Sequence, residues 1–116
     1  MADEILIHVV VPEPVGRHLQ QTTDSGLEIE SVRHDGEQTS RFGLVEVMTV
    51  IGFVKGVGEV VKLALDIRKL LRESGQSSAQ IQVPGSVSHI EIAATASDAD
   101  LERRVREYMF GDGASI

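Results

Sequence analysis

The 116-residue chain contains no cysteine. That single absence removes a disulfide scaffold, a thiolate zinc site and a cysteine nucleophile. Aromatic residues are scarce, with no tryptophan, one tyrosine and three phenylalanines, so there is little to build the stacking platforms that single-stranded nucleic acids require. Positive charge is in deficit as well. Eleven Lys and Arg stand against 18 Asp and Glu, a formal charge of −7, which argues against nonspecific binding to nucleic acid or to an anionic membrane. Long apolar runs are missing. The most apolar region, Phe42 to Leu65, is interrupted by Glu46, Lys55, Glu59 and Lys62, and its longest uncharged stretch, Val47 to Val54, is too short to span a bilayer. The start, Met1 to Glu4, is acidic, and the run Ile5 to Val11 carries His8 and stops at Pro12, unlike a signal peptide. The expectation is a soluble, cytoplasmic protein.

Hydrophobic residues make up 41% of the chain and charged residues 25%, values of an ordinary globular domain. The length supports one core, expected over residues 1–110, with Gly111 to Ile116 as a mobile tail. Charge is uneven: residues 1–38 sum to −6, 39–78 to +2 and 79–116 to −3. The β-branched run Ile5 to Val11 reads as a central strand ended by Pro12. Pro14 suits the first turn of a short helix reaching about Gln21. Leu27-Glu-Ile-Glu alternates as a half-buried strand should, Val32 is out of phase, which suggests a bulge or an early end, and His34-Asp-Gly-Glu marks a turn.

Thr39 or Ser40 can cap the next segment, Phe42 to Glu73. In its second half Lys55, Glu59, Lys62, Asp66, Lys69 and Glu73 recur at helical spacing with alternating sign, one solvated stripe on a largely buried helix. Gly52, Gly56 and Gly58 weaken helix continuity, so the segment is one kinked helix or two. Extending the stripe backwards leads to Gly52, Ile51, Met48 and Leu44, an apolar surface for a second copy or an effector. Alternatively, a break at the glycines turns these residues inward and leaves Glu46 and Thr49 facing water. Gly75 closes the helix. Ala79 to Val83 and Val87 to Ala94 form a hairpin around Pro84-Gly85, a type II turn pair. Ser97 caps a last helix with Leu101, Val105, Tyr108 and Met109 on one face. The predicted fold is α+β: about four strands including the C-terminal hairpin, covered by the long kinked or broken helix and the C-terminal helix.

Candidate chemistry is thin. His8, His18, His34 and His89 show no metal-ligand spacing. A small enzyme site requires His8 and His89 to meet on neighbouring strands, with Glu91 completing it. Gly56-Val-Gly58 lacks the rest of a phosphate-binding motif, and Arg103, Arg104 and Arg106 are flanked by Glu102 and Glu107 as on a solvated helix face. No catalytic, cofactor or metal residues are assigned, and no cofactor is expected. A peripheral membrane-binding module is a further alternative, motivated by the apolar stretch Leu44 to Val54.

The stretch Gly43-Leu-Val-Glu-Val-Met-Thr-Val-Ile-Gly, then Phe53-Val-Lys-Gly-Val-Gly, then Val60 to Arg72 with basic residues at its end, followed by the hairpin Ile81 to Ile92, resembles the effector-associated constant component family. These are small proteins encoded beside variable effectors in bacterial, especially actinobacterial, conflict systems. The resemblance covers roughly residues 42–110, with Ile5 to Val11 as the opening strand. It implies a noncatalytic interaction or adaptor component of a defence system, whose partner is a separate protein effector, often protease-like. A homo-oligomer is the other partner state considered, with no nucleic acid and no membrane.

Overall fold

A computed structural model describes residues 4–21, 27–40 and 43–111, with the backbone alone described for 37–40, 43–45 and 111. Strand β1 (Ile5–Pro12) leads directly into helix α1 (Glu13–Gln21), with Pro14 in the first helical turn, where its missing N–H costs no hydrogen bond. Strands β2 (Glu28–Ser40) and β3 (Gly43–Val54) follow, then helix α2 (Val57–Ser74), strands β4 (Ser78–Gln82) and β5 (Ile90–Ala93), helix α3 (Asp98–Arg106) and a π-helical turn (Glu107–Gly111). The five strands form one antiparallel sheet in the order β2-β3-β1-β4-β5. The architecture is α+β, an open sheet with three helices. No described helix is long and apolar enough to cross a membrane. Of the tail expected to begin at Gly111, that glycine closes the π-helical turn and 112–116 lie outside the described residues.

The front half of the expected long helix is instead strand β3, which raises the strand count to five. Six of its twelve residues, Val45, Val47, Thr49, Val50, Ile51 and Val54, are β-branched, a composition that fits a pleated surface. A strand apolar on both faces shows no alternation, so its periodicity does not separate it from a buried helix. Thr39 and Ser40 accordingly lie in β2 and cap no helix. The chain turns at Lys55-Gly56, and α2 starts with the N–H groups of Glu59 and Val60 donating to the Gly56 carbonyl at 3.1 and 3.2 Å. Its far end closes on Gly75 at φ 71°, with the Gln76 N–H reaching the Leu71 carbonyl at 2.9 Å.

The turn expected at His34 to Glu37 is a bulge inside β2. Register shifts fall between Ile29 and Ser31 and between His34 and Gly36, where Gly36 takes φ 83°. The first shift accounts for the phase of Val32, which joins Ile29 against the core. The hairpin turn is as expected, with Ser86 N–H donating to the Val83 carbonyl at 3.0 Å and Gly85 at φ 92°. Its return strand begins later than expected, at Ile90.

All three helices pack on one face of the sheet. Ile7, Val9 and Val11 of β1, Met48, Val50 and Val54 of β3, Ile81 of β4 and Ile90 and Ile92 of β5 share one core with Val15 and Leu19, with Val60, Leu63, Ile67 and Leu71, and with Leu101 and Val105. Arg68 and Arg72 hold the connection into α3. Arg68 donates to the Ala96 carbonyl at 3.0 Å and pairs with Asp98, while Arg72 donates to the Ala94 carbonyl at 2.5 Å.

Candidate functional site

Cross-strand partners in an antiparallel sheet point to the same face, so the register places Leu6, His8 and Val10 of β1 and Val47, Thr49, Ile51 and Phe53 of β3 on the face opposite the helices. Gln80 and Gln82 of β4 and Glu91 of β5 extend that face to one side, and Ser31 and Arg33 of β2 extend it to the other. Leu6, Val10, Val47, Ile51 and Phe53 are half-buried, screened by their sheet neighbours, and none belongs to the core shared with the helices. The result is an apolar stripe along the central β1–β3 pair with polar and charged margins.

His8 and Thr49 interrupt the stripe, and Thr49 is 1% exposed. Its hydroxyl donates to Asp35 Oδ2 at 2.5 Å and accepts from an Arg33 Nη at 3.5 Å, and Arg33 Nε donates to Asp35 Oδ1 at 2.8 Å. The Thr49 bond above all, with Arg33 behind it, holds the Asp35 carboxyl below the usual aspartate range against an opposing effect of burial. A threonine closed to water with its hydroxyl engaged in both directions is poorly placed to act as a nucleophile. The reading of His34-Asp-Gly as a turn hid this cluster; Arg33 and Asp35, two apart on a strand, were the available signal.

On the helix side, Glu13 at the start of α1 lies beside Glu46 and pairs with Arg17. An open cleft of about 210 Å³ beside β5 is lined by Ser88, His89, Ile90, Glu91, Arg104, Glu107 and Tyr108. Two of its polar groups already hold the fold. The Tyr108 hydroxyl accepts from the Val83 N–H at 3.1 Å and donates to the Ser88 carbonyl at 2.9 Å, and Arg104 pairs with Asp100 at 3.0 Å. Arg103 and Arg106 pair with Asp100 and Glu102 on the same helix.

The four residues grouped at helical spacing do not share one surface. Met48 is 1% exposed in the core, close against Gly16 of α1. Gly52 is buried in β3, where a Cβ would collide with the Glu28 carbonyl oxygen of the neighbouring strand. Ile51 lies half-buried on the open face. Leu44 pairs with Thr39 toward the outer end of β3, and its side chain lies outside the described residues. A strand turns each successive residue to the opposite face, which separates Met48 from Ile51 where a helix would have joined them. Glu46 is exposed, as the inward alternative expected, but Thr49 is buried. His8 and His89 do not meet, because β4 stands between β1 and β5 and His8 pairs with Gln82. Among the described residues no group of three His, Asp or Glu side chains is arranged to hold a metal ion.

Family models, curated proteins and solved structures were all compared with the chain, and none matches.

Proposed function

We propose that the protein is a noncatalytic interaction component that binds another protein through the open face of its sheet. The observation that carries this reading is the apolar stripe of Leu6, Val10, Val47, Ile51 and Phe53, placed by the register on the face away from all three helices. A contiguous apolar surface with a polar margin is the usual form of a protein-binding site. The chemistry-bearing side chains support it in a second way, since Thr49, Tyr108 and Arg104 are engaged within the fold. The resemblance to the effector-associated constant component family supplies the partner class: a separate, protease-like effector of a bacterial conflict system, met in the cytoplasm.

Capture of the effector encoded beside this protein tests the reading, using three baits: wild type, Ile51→Glu on the open face, and Lys62→Glu on the exposed side of α2. The expected result is capture by wild type and Lys62→Glu, with loss in an Ile51→Glu protein that still melts cooperatively. Turnover of a peptide, ester or nucleotide substrate that survives repurification and vanishes in His89→Ala would replace this reading with an enzyme. Pelleting of the protein with anionic liposomes would replace it with a membrane-surface module.

A further inference from the structure

We infer that the Tyr108 hydroxyl is a removable rung of the β4–β5 hairpin. Docked, it holds Ser88 and His89 off the end of β4 as an open strap; withdrawn, it lets the strap close. The device lies at the β5 edge of the sheet and does not depend on how the open face is used. Ser78, Ala79, Gln80 and Ile81 pair with Ala93, Ile92, Glu91 and Ile90, so the next partners in the same register are Gln82 with His89 and Val83 with Ser88. The Ala94 N–H donates to the Ser77 carbonyl at 2.9 Å, which marks that pair as a hydrogen-bonded one. Such pairs recur at every second position of an antiparallel ladder, and Val83 with Ser88 falls in the series. In a continuous ladder the Val83 N–H would donate to the Ser88 carbonyl. Here both groups meet the Tyr108 hydroxyl instead, which accepts from Val83 at 3.1 Å and donates to Ser88 at 2.9 Å.

The closed form is sterically ordinary. It leaves Pro84 to Val87 as the loop, a common hairpin length, with the Ser86 N–H still on the Val83 carbonyl at 3.0 Å. The other half of the missing rung is already satisfied locally, because the Ser88 N–H donates to Ser86 Oγ at 3.3 Å. Closing therefore exchanges two bonds to the phenol for one direct rung. It also returns the hydroxyl to water in the open cleft that Ser88 and Tyr108 both line. Such exchanges are close to balanced, since each hydrogen bond within the protein competes with one to water. Tyr108 is carried on the π-helical turn Glu107–Gly111, a geometry that is rare and concentrated at functional positions.

NMR of the full chain tests the device. In wild type, relaxation dispersion at the amides of Val83, Ser88, His89 and Tyr108 should report one shared exchange in the microsecond-to-millisecond range, with the closed form at about 1 to 10%. In Tyr108→Phe, checked for a cooperative melt, the closed form becomes the main one. A Gln82–His89 Hα–Hα contact then appears, and the Val83 amide keeps its protection against hydrogen exchange because Ser88 accepts it. The absence of either sign in a folded Tyr108→Phe protein leaves the hydroxyl a static tie and overturns the proposal. So does a wild type whose four amides share no exchange, a result that decides the matter alone if Tyr108→Phe fails to fold.

Discussion

Thr49 shows how a buried hydroxyl is accommodated within an apolar stripe. Its hydroxyl sits between Asp35 and Arg33, 14 and 16 positions away in the chain, and a buried hydroxyl is tolerated because both of its hydrogen-bonding roles are filled. Thr49→Val keeps the shape, removes the bond that does most to hold the Asp35 carboxyl down, and is expected to cost about 1 kcal/mol at neutral pH. A carboxylate with a lowered folded-state pKa stabilises the protein above its unfolded value, and the contribution is lost as the pH falls through the folded value. Chemical denaturation of wild type and Thr49→Val at pH 7 and pH 3 should therefore show the gap between them narrowing in acid. Carboxyl NMR should show Asp35 titrating closer to the ordinary aspartate range in the variant. None of this geometry was readable from Thr49 itself. Its partners lie on another strand, and the glycine after Asp35 has the same sequence signature in a bulge as in a turn.

At the scale of elements, the three glycines that seemed to interrupt one helix do three different things. Gly52 lies in β3 where a Cβ would strike the Glu28 backbone, Gly56 sits in extended conformation ahead of α2, and Gly58 stands in the first turn of α2 with open space around its Cα. Gly52→Ala is expected to destabilise by about 1 to 3 kcal/mol, because a backbone atom cannot yield as a side chain can. Gly58→Ala should stabilise by roughly 0.5 to 1 kcal/mol. Opposite shifts in urea midpoint check both at once. β3 makes a second comparison: Met48→Glu, in the core, should lose roughly 2 to 5 kcal/mol or fail to fold, whereas Ile51→Glu, three residues on and on the other face, should melt close to wild type. Equal losses in the two variants would contradict the strand assignment. Elements whose signals are local were readable in advance: Pro12 and Pro14 at the β1–α1 junction, the Pro84-Gly85 turn, the Ser97 cap accepting from Asp100 N–H at 3.1 Å, and the rear half of α2. β3 was not, because its pairing with β1 and β2 is long-range and both of its faces are apolar.

For the whole molecule, placing all the helices on one side leaves the middle of a five-stranded sheet as an apolar surface that no described helix covers. The candidate surface was partly readable. Ile51 was named for it, but the helical frame joined Ile51 to Met48 and Gly52 and missed Leu6, Val10, Val47 and Phe53, which only the antiparallel register brings alongside. Photocrosslinking in living cells tests the central claim most directly. A photoreactive amino acid is placed at position 53 or 47 on the open face, and at position 62 or 69 on the exposed side of α2. The account predicts a discrete protein adduct, either the chain itself or an effector, from positions 53 and 47 and none from positions 62 and 69. Adducts confined to α2, with the open face unreactive, would contradict it.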